Sequence, residues 1–259
     1  KDLCDKAYDQ NEFATFLGGP EVGAAFTQLQ FDHLIYTGGN AVAKHVYNSA
    51  SKNLVPCTLE LGGKSPVIVS KTADMKTTAK RIMFGKTLNA GQICLAPDYV
   101  VVHKDKKDEF IKETKEAVSE YYPNIKNNDD YTSIINQAHY ERLNDLLDDA
   151  IQKGANVEPI NPSGEDFSQQ EFYKIPPTIV TNTTDDMKIM QEEIFGPLLP
   201  VLEYEEIDEA TDLINSKDKP LGLYYFGQNK SEEDNLLNKT SSGGVTVNNV
   251  ISHLQQSEL

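Results

Sequence analysis

Apolar residues follow two alternating patterns along the chain. Short runs rich in β-branched residues are bounded by glycine or proline, as is typical of buried strands. These runs fall at residues 33–36, 55–61, 66–70, 99–103, 178–181, 198–204, 221–226 and 244–248. Longer stretches lie between them, and in these the apolar residues return every three or four positions, as is typical of amphipathic helices. The alternation predicts an α/β fold with a largely parallel sheet.

Helices are predicted most clearly over residues 107–121 and 137–153. In the second stretch, Leu143 and Leu146 are three residues apart and would share one face of a helix. Gly154 follows this stretch immediately and favours termination of the helix there. Both helices separate predicted strands, which agrees with the α/β alternation.

The charge balance excludes two classes of partner. The 259 residues include 24 Lys and Arg against 40 Asp and Glu, which gives a formal net charge of −16. A nucleic-acid groove or an anionic membrane surface requires a cationic patch on the protein. We therefore expect neither nucleic acid nor an anionic membrane surface as a partner.

No membrane-spanning segment is predicted from the apolar runs. A helix that crosses a bilayer needs about 20 consecutive apolar residues, whereas runs such as 99–102 and 198–202 have the length of strands. The three cysteines of the chain are too few for a disulfide scaffold and indicate a reducing compartment. We therefore expect a cytoplasmic protein.

Both ends of the sequence suggest a piece of a longer protein. The chain begins with Lys1, and it ends in the polar residues 255–259 directly after an apolar run. We expect that further residues of the parent protein precede and follow this chain.

Cys94 is the first candidate for chemistry, within the segment NAGQICLAP. A helical pattern from about residue 75 to 88 ends just before it, and Gly91 and Pro97 bracket the cysteine on a loop. A loop held between two rigid elements can present a sulfur atom to a cleft. Considered alone, Cys94 is equally compatible with a small buried apolar residue, which is the usual role of a lone cysteine.

Glu60 is the second candidate, within the segment LELGGKSP. An apolar strand runs there into a double-glycine turn, so the carboxylate lies at the end of a strand, where α/β proteins usually bind ligands. A solvated strand end is the alternative interpretation. A thiol and a carboxylate together are what a two-stage covalent mechanism needs, because one attacks a carbonyl and the other activates water.

The histidines give no indication of a metal site. The five histidines show neither an H-E-x-x-H pattern nor clustered spacing with the cysteines. We therefore expect no metal cofactor.

Three segments resemble the signature segments of the aldehyde dehydrogenases. They are LELGGKSP with Glu60, NAGQICLAPD with Cys94 and EEIFGP with Glu193, in that order. The 34-residue spacing from Glu60 to Cys94 is also similar to that of the family. The segments YTGGNAVA and APDYVVV resemble the class 3 and fatty aldehyde dehydrogenase branch most, and the similarity extends from about residue 17 to 253.

The resemblance implies a domain organisation. Residues 1–62 would be the C-terminal part of a Rossmann-like cofactor domain, residues 63–245 most of an α/β catalytic domain, and residues 246–259 a truncated return segment. Family members are close to twice this length, so much of the cofactor domain would lie upstream. The full-length parent is expected to be a homodimer, and its C-terminal part could carry the apolar membrane anchor found in fatty aldehyde dehydrogenases.

The resemblance also implies a reaction. The Cys94 thiolate would attack an aldehyde, aliphatic or fatty, to give a thiohemiacetal. Hydride transfer to NAD, with NADP as the alternative, would leave a thioester on Cys94. Glu60 would deprotonate the water that hydrolyses this thioester to the carboxylic acid, a role typically worth about 10²–10⁴-fold in rate.

Cofactor contacts are implied for five residues. The family pattern would place Glu193 against the nicotinamide ribose hydroxyls and Phe195 beside the ring, although a charge ahead of a Gly-Pro turn is the alternative for Glu193. Leu61 and Gly62 would lie near the nicotinamide. Gly38 follows a strand and opens a helix, which suits a pyrophosphate contact.

Two other functions remain as alternatives. The chain could be a catalytically silent truncated fragment that binds a ligand or a partner at most. It could also be a related reductase or acyl-transferring enzyme on the same fold, but the presence of Glu60 argues against that. The lysine at position 64 has no expected role, although it is only four residues from Glu60.

Overall fold

A computed structural model of the protein describes residues 1–255. The chain divides into two compact units, Lys1–Leu61 and Gly62–Leu259, each with its own sheet. The predicted return segment 246–259 lies only partly within this description, because residues 256–259 fall outside the described residues.

The first unit is a parallel βαβ arrangement preceded by two short helices. Its elements are α1 (Asp2–Ala7), α2 (Pro20–Phe26), β1 (Leu34–Gly38), α3 (Asn40–Ser51) and β2 (Cys57–Leu61). In α3 the buried residues Ala43, Val46 and Ala50 recur at helical spacing. Leu34 and Val55 complete the small core against which they pack.

The second unit is built on a seven-stranded sheet. Within residues 62–255 the strands are β3 (Pro66–Val69), β4 (Tyr99–His103), β5 (Asn156–Pro159), β6 (Thr178–Thr181), β7 (Leu198–Tyr204), β8 (Gly222–Phe226) and β9 (Gly244–Val247). Their order in the sheet is β5-β6-β7-β4-β3-β8-β9. All neighbouring pairs are parallel except β5 and β6. The predicted α/β fold with a largely parallel sheet is confirmed.

Helices cover both faces of this sheet. They are α4 (Met75–Thr87), α5 (Lys107–Tyr121), α6 (Gln137–Gln152), α7 (Lys188–Gln191), α8 (Ile207–Asn215) and α9 (Lys230–Lys239). Strand residues alternate between two cores: Ile68 packs with α6, α8 and α9, whereas Val67 and Val69 pack with α4 and α5. Burial on both faces explains why these strands appear in the sequence as continuous apolar runs.

One strand of the second unit does not follow the apolar pattern. Strand β5 contains asparagine, glutamate and proline, and its side chains are mostly exposed. It lies at the edge of the sheet and pairs antiparallel with β6. Pairing with an apolar neighbour, and not its own composition, makes this segment a strand.

Three chain segments meet at one edge of the large sheet. The strands β7, β4 and β3 are adjacent and parallel, so their amino ends lie side by side. Gly62 shortly precedes β3, Cys94 precedes β4 and Glu193 precedes β7. The sheet order therefore brings these three segments together at its amino edge.

Candidate active site

The loop that carries Cys94 begins with an unusual backbone turn. After α4 ends at Thr87, Asn89, Ala90 and Gly91 have φ angles of +50°, +51° and +73°. A left-handed conformation costs a non-glycine residue about 1–2 kcal/mol, and such strain is retained mainly at functional sites. The turn reverses the chain just before Cys94, whose side chain is half-buried.

The side chain of Gln92 anchors this loop to a neighbouring segment. Its Nε2 donates to the carbonyl of Ser133 at 3.1 Å, and its Oε1 accepts from the N–H of Ile135 at 2.9 Å. The Nδ2 of Asn89 donates to the carbonyl of Gln92 itself at 3.0 Å. These bonds fix the backbone two residues before the thiol.

A glycine–glycine contact joins the Cys94 loop to the segment of Glu193. A Cβ atom added to Gly91 would lie 2.4 Å from the carbonyl oxygen of Gly196, a distance that real side chains do not tolerate. Phe195 lies between Glu193 and Gly196. Its φ angle is +49°, and its ring is more than one-third exposed. The close approach therefore needs Gly91, and the backbone beyond Glu193 turns Phe195 outward.

A buried ion pair supports the backbone around Glu193. Lys64 Nζ donates to Asp98 Oδ1 at 2.5 Å and to the carbonyl oxygens of Ile189 and Glu192. The other carboxylate oxygen, Asp98 Oδ2, accepts the N–H of Ile194 at 2.9 Å. Both side chains are almost completely buried. Lys64, which has no expected role from the sequence, therefore supports the amino edge structurally.

The Glu193 carboxylate rests on backbone that only glycine can provide. A Cβ added to Gly62 would lie 2.1 Å from Glu193 Oε1, and the N–H of Gly63 hydrogen-bonds the carboxylate. The pKa of Glu193 is raised to about 6. Burial, the largest cause, and the charge of Asp98 raise this pKa, whereas the Gly63 N–H, Arg142 and Lys64 lower it. At neutral pH the carboxylate is therefore mostly ionised.

Arg142 fixes the main chain of Glu193 and of Ile194, the residue that follows it. Its guanidinium, which projects from α6, donates to the carbonyl of Glu193 at 3.3 Å and to that of Ile194 at 2.5 Å. Two donors from one planar group set the orientation of both peptide units. The motif segment is thus held by side chains from three separate parts of the chain: Lys64, Asp98 and Arg142.

Lys86 is a fully buried cation in the last turn of α4. Its pKa is lowered to about 8. Burial, the largest cause, and the charge of Lys64 lower this pKa, whereas Asp98 and Glu193 raise it. Together these four side chains form a cluster of two cations and two anions under the Cys94 loop. A buried lysine is costly unless neighbouring anions compensate it.

The structure places the predicted site residues in two groups. One group lies at the amino edge of the large sheet, in the second unit, and its members are Gly62, Cys94, Glu193 and Phe195. Within this group Gly62 contacts the Glu193 carboxylate. The other group lies at the carboxyl end of the two-strand sheet, where Gly38 pairs with Leu61 and Thr37 pairs with Glu60. The Glu60 side chain is exposed there.

Sequence reasoning missed the charged support of this edge. Lys86 lies three residues after Met83 and seven after Ala79, so it occupies a position of the apolar stripe of α4. A lysine in such a stripe was a signal that a buried charge would need partners. The roles of Asp98 and Arg142 had no comparable signal, because they depend on contacts with residues far along the chain.

Residues 1–255 contain neither a metal-binding cluster nor a membrane-spanning helix. No group of three or more His, Cys, Asp or Glu side chains that could hold a metal ion occurs within residues 1–255. In the same range, no helix has both the length and the apolar character needed to span a bilayer.

The fold and the amino-edge site define an α/β protein with a candidate cysteine nucleophile beside a candidate binding carboxylate. A small parallel unit is followed by a larger, mainly parallel sheet that carries a strained cysteine loop next to a glycine-supported carboxylate. Residues 7–258 match the model of the aldehyde dehydrogenase family, and the chain belongs to this family.

Two curated relatives are similar over the whole chain. A probable coniferyl aldehyde dehydrogenase of Caulobacter vibrioides is 58% identical over 259 residues, which are 100% of this chain and 53% of the relative. A 4,4'-diaponeurosporen-aldehyde dehydrogenase of Staphylococcus aureus is 43% identical, with 100% of this chain and 55% of the relative covered. The chain thus spans about half the length of the curated relatives that it matches.

Two solved structures have the same fold. A substrate-bound aldehyde dehydrogenase of Staphylococcus aureus matches with a TM-score of 0.92 and 41% identity, over 100% of this chain and 55% of that one. A betaine aldehyde dehydrogenase of the same organism, in complex with NAD⁺, matches with a TM-score of 0.80 and 28% identity, over 90% of this chain and 47% of that one. The resemblance to the aldehyde dehydrogenase family is therefore confirmed in sequence and in fold.

Proposed function

We propose that the protein containing this chain oxidises an aldehyde to a carboxylic acid, with Cys94 as nucleophile, Glu60 as base and NAD or NADP as hydride acceptor. The observation that supports this most is the contact between the Gly91 and Gly196 backbones, which joins the Cys94 loop to the Glu193 segment. A nucleophile and a cofactor-binding carboxylate need such proximity to act on one substrate.

The residues present suit a nicotinamide cofactor. Glu193 offers an ionised, half-buried carboxylate that could accept hydrogen bonds from both hydroxyls of a ribose. Phe195 presents an exposed ring that could pack against the nicotinamide. Gly38 and Leu61 end adjacent parallel strands, which is where α/β proteins bind nucleotides. When bound, this cofactor accepts hydride.

Cys94 would form and then release a covalent intermediate. Its thiolate sulfur bonds to the aldehyde carbon, and the carbonyl oxygen becomes an oxyanion stabilised by backbone N–H groups. Loss of hydride from that carbon restores the carbonyl as a thioester. The thioester carbon then accepts a hydroxyl from water, and the carbon–sulfur bond breaks to return the thiolate.

Glu60 would activate that water. An exposed carboxylate at the carboxyl end of β2 can accept a proton and pass it to solvent. Because water and not a second thiol is then the acyl acceptor, the product is the free acid. Transfer of the acyl group to a thiol carrier would need no base at this position.

Substrate class and assembly are further parts of the proposal. Two relatives are named for coniferyl aldehyde and 4,4'-diaponeurosporen-aldehyde, which supports aldehyde oxidation without selecting an aliphatic chain. We keep an aliphatic or fatty aldehyde as the proposed substrate and a cytoplasmic homodimer as the proposed parent. Oxidation rates of the parent protein with a medium-chain aldehyde and with coniferyl aldehyde distinguish the two substrates.

The covalent chemistry can be tested on this chain with an activated ester such as p-nitrophenyl hexanoate. We expect acylation of Cys94 in preference to Cys4 and Cys57, read by peptide mass spectrometry, and no acylation at that position in Cys94→Ala. In Glu60→Gln the acylated chain should persist, because hydrolysis loses about 10²–10⁴-fold in rate. Glu203→Gln, which changes another exposed strand glutamate, is the matched control.

Two results would contradict the proposal. Equal acylation of all three cysteines would show that Cys94 is not an activated nucleophile. Hydrolysis of the acylated chain at the same rate in Glu60→Gln and Glu203→Gln would remove Glu60 as the base.

Turnover of aldehyde and NAD by this chain alone should be low, since the chain spans about half of its relatives.

A further inference from the structure

Tyr224 connects the nucleophile loop to strand β8 of the large sheet. It lies in β8, its side chain is fully buried, and its hydroxyl donates to the carbonyl oxygen of Leu95 at 2.7 Å. Leu95 directly follows Cys94 and is itself buried. The loop therefore has one hydrogen-bonded anchor from the strand next to β3, immediately after the thiol.

The Tyr224 hydroxyl is closely packed against neighbouring segments of the chain. A Cβ added to Gly222 would lie 2.8 Å from the Tyr224 hydroxyl oxygen and 2.9 Å from Leu95 Cδ2, so a larger residue at this position would displace both groups. The N–H of Ile251 faces the same oxygen, which adds a third chain segment to the junction. A hydroxyl with both a donor and an acceptor role has its direction fixed.

The thiol of Cys94 lies close enough to this hydroxyl for their charges to interact. Burial is the main reason that the pKa of Tyr224 is raised, and the negative charge of a Cys94 thiolate raises it further. Tyr224 is therefore a neutral hydrogen-bond donor at neutral pH. A neutral donor can hold the Leu95 carbonyl without competing for the proton of the thiol.

We propose that Tyr224 is a positioning residue for the nucleophile: its hydroxyl fixes the Leu95 carbonyl and thereby the orientation of the Cys94 backbone and thiolate. The inference rests on the proposed role of Cys94. Without the hydroxyl, the buried Leu95 carbonyl has lost its partner, and the loop must move to find another. Displacement of a reacting group by about 1 Å can cost about 10²-fold in rate.

The test compares Tyr224→Phe with Tyr225→Phe. Tyr225 is the next residue of β8, equally buried, and its hydroxyl bonds on the opposite face to Asn229 and Glu232. Each variant removes one hydroxyl from the same strand, but only one of the hydroxyls touches the Cys94 loop. The readout is the rate of Cys94 alkylation by iodoacetamide as a function of pH, resolved by peptide mass spectrometry, with Cys4 and Cys57 as internal references.

We expect Cys94 of the unsubstituted chain to react with an apparent pKa below the ordinary value of about 8.5, because activated cysteines have stabilised thiolates. Tyr224→Phe should move this pKa back towards 8.5 and reduce the alkylation rate at neutral pH about tenfold, since one pKa unit is a tenfold change in thiolate. Tyr225→Phe should leave both quantities unchanged.

Each outcome decides one claim. A fast-reacting Cys94 with the same pH profile in Tyr224→Phe and Tyr225→Phe would overturn the positioning role and leave the nucleophile intact. A Cys94 that reacts like Cys4 in the unsubstituted chain would overturn both. If Tyr224→Phe does not fold, Gly222→Ala displaces the same hydroxyl and should shift the profile in the same direction; an unshifted profile there would refute the inference.

Discussion

Replacement of Lys86 by methionine tests the buried charge cluster under the Cys94 loop. Lys86 is fully buried in α4, and its pKa is lowered from 10.5 to about 8, chiefly by burial. Methionine has a similar length and no charge, so the variant keeps the packing and removes the titration. The quantity of interest is the free energy of unfolding as a function of pH.

The sign of the effect follows from the two pKa values. Below about pH 8 the lysine carries its proton in both the folded and the unfolded chain, and the folded state bears the cost of a buried charge. Between about pH 8 and 10.5 the folded lysine is neutral while the unfolded lysine keeps its proton. The unfolded state then binds more protons, so stability rises with pH in this window.

The magnitude of this gain in stability follows from the free energy of about 1.4 kcal/mol that corresponds to one pKa unit. The free energy of unfolding should rise by about 3 kcal/mol over the full window and by about 2 kcal/mol up to pH 9.5. Urea unfolding followed by circular dichroism measures this at several pH values. From pH 7 to 9.5, wild type should gain about 2 kcal/mol relative to Lys86→Met. Titrations common to both proteins cancel in this difference.

Lys80→Met is the matched control on the same helix. Lys80 is only partly buried, and its hydrogen bond with Glu120 raises its pKa. Its stabilising contribution is therefore present below 10.5 and is lost only at higher pH, outside the window. Stability curves that run parallel for wild type and Lys86→Met from pH 7 to 9.5 would refute the argument for a buried, titrating lysine.

Three further substitutions test the packing of the second unit, each by urea unfolding. Asp98→Ala leaves Lys64 buried without its carboxylate and should cost about 3–5 kcal/mol; a loss below 1 kcal/mol would contradict this. Gly91→Ala should destabilise far more than Gly154→Ala, because both glycines have positive φ but only Gly91 faces a close neighbour; equal losses would exclude the Gly196 contact. Ile68→Ala should cost about 2–5 kcal/mol, and a neutral result would place Ile68 outside the core.

The strands of the fold could be predicted from composition because most are buried on both faces. Residues 66–69 and 99–102 contain almost only β-branched side chains, and each side chain enters one of two cores. Strand β5 could not be predicted in this way. Its side chains are exposed, and its conformation depends on the ladder with β6, which sequence composition does not show.

The candidate site was predictable only where chemistry is visible in the residue type. A thiol and two carboxylates beside glycines can be recognised in a sequence, and for this reason Cys94, Glu60 and Glu193 are candidates. The support for these groups cannot be recognised there, because Lys64 bonds to carbonyls 125 and 128 residues further along the chain. Such contacts exist only once the strand order is known.

Strand order also explains why the Cys94 and Glu193 segments meet. They are about 100 residues apart in the chain, but each shortly precedes one of the adjacent parallel strands β4 and β7. Parallel pairing places the beginnings of both strands at one edge of the sheet. Glycine at positions 91 and 196 then permits the backbones to touch. Substitutions that shift the register of β4 against β7 should therefore impair Cys94 reactivity even when they lie far from the thiol.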